Sequence, residues 1–107
     1  MEKSKISKIL KLIVNNLTSG KYASLVENDK YKRLTINEIE TAIKEYPGII
    51  SFPPLEAFDN FLDLGEIDDI YNNIDFNLWF NDEESDLTIS LTIYDTGEYS
   101  INKIHVL

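Results

Sequence analysis

The chain has 107 residues, of which 43% are hydrophobic and 11% aromatic, and its formal net charge is −9. This length and composition predict a single globular domain over residues 1–107 rather than a disordered chain or two separate cores. The sequence has no cysteine and no apolar run near the roughly 18 residues of a membrane span, which excludes disulfides, thiolate zinc sites and a transmembrane helix. We therefore expect a cytoplasmic protein.

Charge is divided unevenly along the chain. Residues 1–44 hold nine of the ten Lys and Arg, whereas residues 45–107 hold fourteen acidic residues and Lys103 as their one basic residue. Such a field repels nucleic acid and anionic lipid and attracts basic surfaces. The basic and aromatic run at residues 30–33 is interpreted as a solvated turn. We expect a basic protein partner, with no nucleic acid and no membrane; the sequence leaves the oligomeric state open.

Two amphipathic helices are predicted in the first half of the chain. The first, over residues 4–19, has an apolar stripe of period 3.6 and ends at Gly20. The second begins at Thr35, which can form a capping box with Glu38, and ends before Pro47. Its predicted buried face consists of Ile36, Ile39, Ile43 and Tyr46.

Beyond Gly48 the hydrophobic period changes from 3.6 to 2. The pattern predicts a short strand over residues 49–52, a helical turn over residues 55–61 and an edge strand over residues 65–71. A long strand, with alternation plain from residue 74, is predicted to end at Phe80.

Two further strands are predicted to complete an antiparallel meander. After a polar turn over residues 81–85, a strand continues to Tyr94, and the last strand begins near Tyr99. The alternation of the last strand changes parity near Asn102 and Lys103, which predicts a β-bulge there.

These elements predict an α+β fold. Two N-terminal amphipathic helices pack on one face of a curved antiparallel β-meander of three to five strands, because each layer needs the other to cover its apolar face. A small cone-like sheet wrapped around the first helix satisfies the same pattern.

The sequence shows no catalytic constellation and no established metal-binding motif. His105 is predicted to point away from the core, and no serine lies in a G-x-S-x-G elbow. The acidic cluster of Asp63, Glu66, Asp68 and Asp69 does not match the spacing of a calcium-binding EF-hand loop. We expect a protein that is not an enzyme and has no cofactor and no metal.

The outward face of the predicted sheet carries the candidate partner-binding residues. Trp79 and Tyr94 fall on the polar side of their strands, and these residue types dominate the hot spots of protein interfaces. The alternative is that the segment over residues 55–72 or the C-terminal strand covers Trp79. The predicted partner-binding residues are Asp75, Trp79, Asp82, Glu83, Glu84, Asp86 and Tyr94.

Several segments of the sequence resemble a small uncharacterised bacterial family with a helical front half, a Pro-Pro link and a strand pair ending in Ile-His-Val-Leu. The segments that carry this resemblance are IVNNLTSGKYASL, LTINEIETAIKEYPG, FPPLEAF, DFNLWFNDEESDLTISLTI and INKIHVL. The resemblance implies a relation to the immunity-like proteins of bacterial toxin systems and brings no catalytic residues.

The leading hypothesis is a non-enzymatic acidic binding protein, an immunity-type inhibitor that neutralises a basic toxin or nuclease domain. One alternative is a small-molecule-binding or enzymatic domain with a pocket between sheet and helices, using Tyr22, Tyr46, Tyr71 and carboxylates. Another is a structural subunit that assembles through the sheet edge.

Overall fold

The structure, a computed structural model, describes residues 1–67 and 70–106. It has the predicted α+β fold, with helices at the N-terminus followed by an antiparallel sheet. The helices are α1 (Lys3–Thr18), α2 (Tyr22–Glu27), α3 (Ile36–Glu45) and a 3-10 helix (Leu55–Asp59). The strands are β1 (Ile50–Ser51), β2 (Leu62–Ile67), β3 (Tyr71–Phe80), β4 (Glu83–Tyr94) and β5 (Tyr99–Val106).

The two predicted helices form for the local reasons that the sequence indicates. The apolar stripe of α1 is buried, and α3 begins with the full capping box between Thr35 and Glu38. One residue of the predicted buried face is different: Ile36 is 45% exposed. It is the first residue of α3, and Leu34 packs against the core in that region instead.

The strands form one open sheet in the order β1-β3-β4-β5, so the sheet is not closed into a cone. The short strand β2 also pairs with β3, along the edge that carries β1. The edge strand predicted over residues 65–71 was misplaced. It lies at Leu62–Ile67, and Tyr71 already belongs to β3.

Two local features of the sheet fix its register. A turn of only two residues, Asn81 and Asp82, joins β3 to β4 instead of the predicted turn over residues 81–85, and both residues have positive φ, at 53° and 62°. Paired positive φ values match the twist of a tight hairpin. The predicted β-bulge is confirmed at Asn102, because Ser90 pairs with Lys103 while Leu91 pairs with Ile101.

One face of the sheet is buried against the helices. Its centre is an aromatic stack in which Phe58 of the 3-10 helix lies parallel to Phe76 of β3, with ring centroids 5.4 Å apart. Both rings are buried. Among the described residues no α-helix packs on the opposite, outer face of the sheet, where polar side chains of β3, β4 and β5 lie. In the described part of the chain, no helix has the length and apolarity needed to cross a bilayer.

Candidate functional site

The outer face of the sheet carries a row of polar side chains across three strands. Ser90 of β4 donates a hydrogen bond to Asp75 Oδ1 of β3 at 2.6 Å. On its other side, Ser90 Oγ lies 3.1 Å from Nε2 of His105 in β5. His105 therefore lies on the outer face, as the sequence predicts.

This row differs from a nucleophilic triad. In a Ser-His-Asp triad the imidazole lies between the hydroxyl and the carboxylate, so that it can take the proton of the nucleophile. Here the hydroxyl of Ser90 lies between Asp75 and His105. The row therefore links the three strands by hydrogen bonds and does not have the order that activates a serine.

The hairpin end of β3 and β4 brings four of the predicted partner-binding residues together. Trp79 pairs with Glu84 across the two strands, and Asp82 and Glu83 lie at the exposed tip. Glu56 of the 3-10 helix lines the same pocket as Trp79. We call Glu56, Trp79, Asp82, Glu83 and Glu84 the hairpin-end surface.

A small pocket of about 150 Å³ opens beside Trp79. It lies where the edge of β3 is not paired, because β1 pairs with Trp79 and Phe80 while β2 reaches only as far as Asp75. Its walls include Glu56 and Glu84. Trp79 is half-buried, so the 3-10 helix region covers it in part and leaves part of the ring accessible.

The other predicted site residues lie elsewhere. The hydroxyl of Tyr46, which packs against the core residue Phe80, donates a hydrogen bond to Asp86, so Asp86 faces the helix-covered side. This hydrogen bond raises the pKa of Tyr46 above its ordinary value, with a smaller contribution from burial. Tyr94 is ten positions along β4 from Glu84, which corresponds to about 30 Å at the rise of a strand. Asp75 belongs to the row with Ser90.

Tyr94 instead lines a larger cavity of about 620 Å³ at the opposite end of the outer face. Its walls include Lys30, Tyr31, Arg33, Tyr71 and Tyr94, and we call this cavity the tyrosine cleft. The ring centroid of Tyr94 lies 6.3 Å from that of Tyr31 and 5.7 Å from that of Tyr71. Burial, followed by the hydrogen bond with Tyr31, raises the pKa of Tyr94 to about 12.

The tyrosine cleft forms because the loop after α2 is anchored on β5. Asp29 is buried, and it accepts hydrogen bonds from the backbone N–H of Tyr31 and Lys32. It also accepts from Ser100 Oγ at 2.9 Å and from the backbone N–H of Ile101 at 2.7 Å. The basic run at residues 30–33, interpreted from the sequence as a solvated turn, is therefore held against the sheet.

The three tyrosines named for a pocket between sheet and helices do not meet at one site, because Tyr71 lines the tyrosine cleft on the outer face and Tyr22 packs against the core. Tyr46 contacts Phe80 and lines a cavity between α3 and the sheet together with Glu45 and Asp86. Two features of the sequence point to residues of the tyrosine cleft: Tyr94 is predicted to face outward, and residues 30–33 form a basic run. The sequence does not show that these two segments lie together, because contacts between residues about 70 positions apart bring them there.

No group of three or more potential metal ligands is present in the described ranges 1–67 and 70–106. The acidic cluster considered from the sequence includes Asp68 and Asp69, which lie outside those ranges. Asp63 accepts hydrogen bonds from Asn72 Nδ2.

Comparison with known proteins gives one match. A family model described as a domain of unknown function, DUF7668, matches residues 14–107, and the chain belongs to this family. No curated protein and no solved structure matches the chain.

Proposed function

We propose that this member of the DUF7668 family is a non-enzymatic binding protein that takes a basic side chain of a partner protein into the pocket of its hairpin-end surface. The observation that carries the proposal is the position of Trp79, half-buried beside a pocket of about 150 Å³ whose walls include Glu56 and Glu84. An aromatic ring flanked by two carboxylates matches a lysine or arginine side chain.

The chemistry of this pocket favours a cation. The face of an indole attracts an ammonium or guanidinium group, with a contribution of about 0.5–2 kcal/mol that grows as the pair is removed from water. A carboxylate adds charge-assisted hydrogen bonds. Within the described ranges, no hydrogen bond occupies the indole N–H of Trp79, so this donor is available to a partner. Asn77 Nδ2 donates to Glu84 Oε2 at 2.9 Å and holds that carboxylate in place.

The charge of the molecule favours the same class of partner. Asp82 and Glu83 are exposed at the tip of the hairpin, and the protein as a whole carries a formal charge of −9. Long-range attraction of this kind raises association rates by about 10- to 1,000-fold and weakens as salt shortens the Debye length. Partner capture is therefore expected to be fast at low ionic strength.

The specific form of the proposal is an immunity-type inhibitor of a basic toxin or nuclease domain in the bacterial cytoplasm. Its support is the acidity of the chain, which carries a formal net charge of −9. The test is co-expression with a basic toxin or nuclease domain encoded beside this gene. If the protein rescues growth of the host, and substitution of Trp79 or Glu84 abolishes this rescue, the inhibitor role is supported. If the two proteins bind stably but growth is not rescued, the protein binds its partner without inhibiting it, and the inhibitor role is rejected.

Binding itself is tested with charge-matched variants. The tagged protein is incubated with the same basic domain, and the dissociation constant is measured for the wild type, for Glu56→Gln/Glu84→Gln and for the control Glu27→Gln/Glu45→Gln. Both control residues are exposed, and neither lines the pocket. We expect the first double variant to bind at least about tenfold more weakly and the control to change affinity by less than about twofold. Equal losses in both variants would show that only net charge matters and would reject the pocket.

A further inference from the structure

The tyrosine cleft has features of a second binding site, independent of the hairpin-end surface. Its volume of about 620 Å³ is within the range of about 300–1,000 Å³ typical of small-molecule sites. Three tyrosine rings form its aromatic walls, and Tyr71 and Tyr94 are half-buried. Flat aromatic walls favour a ligand with a flat ring, which can stack on or meet them edge to face.

The charges around the tyrosine cleft are not equivalent. Lys30 forms an ion pair with Glu98 at 3.2 Å. A hydrogen bond from Thr96 and a second one from Lys30 lower the pKa of Glu98, which keeps this carboxylate ionised beside Lys30. The positive charge of Lys30 is therefore largely matched. Asp95, on the rim, is exposed to solvent.

Arg33 is the cation that remains unmatched in the tyrosine cleft. Within the described part of the chain, no carboxylate lies at ion-pair distance from its guanidinium group. One of its N–H groups donates to Asn102 Oδ1 at 2.6 Å, and the guanidinium carbon lies 5.3 Å from the ring centroid of Tyr31. A guanidinium has five N–H donors in a planar fork, so enough remain to bind a carboxylate or phosphate in a bidentate manner.

A chain of hydrogen bonds fixes the polar floor of the tyrosine cleft. Asn102 Nδ2 donates to Thr92 Oγ1 at 2.8 Å, and Thr92 Oγ1 donates to Asn73 Oδ1 at 2.9 Å. Because Arg33 donates to the oxygen of Asn102, the direction of every bond in this chain is determined. The chain ends at Asn73, whose Nδ2 donor has no partner among the described residues. Arginine and this amide therefore both offer donors to a ligand.

We propose that the tyrosine cleft binds a small aromatic anion, with its ring against the tyrosines and its carboxylate or phosphate on Arg33 and Asn73. This site lies about 30 Å along the sheet from the hairpin-end surface, so its occupancy is measured separately from partner binding.

The test uses two anionic probes, each with an uncharged counterpart. The probes are 2-naphthoate with 2-naphthamide, and adenosine monophosphate with adenosine, titrated at low salt and followed by amide chemical shifts of the full chain. We expect an anion to perturb the signals of Asn73, Thr92 and Arg33 and to bind at least about tenfold more tightly than its counterpart, as one charge-assisted pair implies. The two anions distinguish a carboxylate from a phosphate headgroup.

Variants of single residues show which basic side chain binds the anion. Arg33→Gln is expected to weaken binding of the anion at least about tenfold, whereas Lys103→Gln, which removes an exposed charge on the same sheet outside the tyrosine cleft, is expected to change it by less than about twofold. Asn73→Ala retains Arg33 and removes the amide donor of the polar floor, so it measures the contribution of that donor to binding of the anion. The proposal is overturned if neither anion binds below about 10 mM, if the neutral counterparts bind equally well, or if Arg33→Gln has no effect.

Discussion

Asp29 shows how one buried residue can organise a surface far from it in sequence. A carboxylate removed from water is costly unless hydrogen bonds replace its hydration. Asp29 is 3% exposed, and its two oxygens accept from three backbone N–H groups and the hydroxyl of Ser100. These bonds join the loop after α2 to β5, and this loop supplies Arg33 and Tyr31 to the tyrosine cleft.

Substitution of Asp29 by asparagine is expected to lower the free energy of unfolding by about 2–3 kcal/mol, because one acceptor oxygen becomes an NH₂ group that faces buried donors. Urea denaturation followed by far-ultraviolet circular dichroism measures the change. Asp59→Asn, at an exposed position of the 3-10 helix, is the control and should change the free energy by less than about 0.5 kcal/mol. If Asp29→Asn changed the free energy of unfolding by a similarly small amount, Asp29 would have no structural role of this kind.

Tyr99 makes the stability of the fold sensitive to alkaline pH. Burial, followed by the nearby charge of Asp29, raises its pKa from 10.0 to about 12, and its hydroxyl donates to the Leu25 carbonyl oxygen at 2.8 Å. The folded state therefore holds this proton more tightly than the unfolded state. Its contribution, on the order of 2 kcal/mol, is fully present below pH 10 and is lost as the pH rises from 10 through about 12.

Tyr99→Phe removes this titration. We expect the variant to be less stable than the wild type at pH 8 by about 1 kcal/mol, through loss of the hydrogen bond, and to lose less stability between pH 9 and 11.5. Urea denaturation at several pH values gives both quantities. Parallel loss of stability in the two proteins over that interval would contradict the assignment to Tyr99.

At the scale of secondary-structure elements, local signals were predictable and long-range ones were not. The capping box of α3 and the parity change at Asn102 depend on neighbouring residues, and both were predicted. The position of the edge strand was wrong because Leu62 and Leu64 of β2 are both exposed, so burial of an apolar face does not define this strand, which forms by pairing with β3.

The candidate sites likewise combine features that local sequence predicts with features that depend on long-range contacts. The outward positions of Trp79 and Tyr94 follow from strand alternation and could be predicted. The pocket beside Trp79 could not, because it depends on where β1 and β2 stop along the edge of β3. The tyrosine cleft likewise depends on the docking of Asp29 against β5, which no local pattern encodes.

The hairpin turn between β3 and β4 allows stability and partner binding to be separated. Asp82 has φ of 62°, a conformation that glycine adopts without the steric cost of a Cβ atom, and glycine is favoured at the second position of such turns. Asp82→Gly is expected to preserve or raise the free energy of unfolding, by up to about 1 kcal/mol, and to slow association with a basic partner. Thermal denaturation and association kinetics measure these two effects.

Asn81→Gly is the matched control for the turn. Asn81 also has positive φ, but its side chain accepts a hydrogen bond from the backbone N–H of Ile49 at 3.1 Å. The conformational gain is therefore offset by the loss of the hydrogen bond between Ile49 and the turn, and we expect no net stabilisation. Stabilisation by Asn81→Gly together with destabilisation by Asp82→Gly would contradict this account.

For the whole molecule, the negative charge is only weakly balanced by the basic N-terminal segment. The lysines of α1 have no carboxylate at ion-pair distance within residues 1–67 and 70–106. Lys3 and Lys11 lie over the rings of Phe61 and Phe58 instead, and Lys5 donates to the carbonyl oxygen of Asp95. Among the described residues the basic face of α1 therefore forms no direct ion pairs with the acidic half of the chain, and self-repulsion at a net charge of −9 remains.

Salt is consequently expected to act in opposite directions on folding and on partner binding. Raising NaCl from 10 mM to 500 mM screens the repulsion and should raise Tm by roughly 4 °C, the shift that about 1 kcal/mol produces in a domain of this size. The same change should slow association with a basic partner, because it screens the attraction that brings the two together. Asp82→Asn/Glu83→Gln, which removes two exposed charges, should have the higher Tm at 10 mM NaCl and a smaller salt response in both measurements. If salt lowered Tm, attractive pairs would dominate the folded state; if salt left association unchanged, electrostatic steering would have no part in binding.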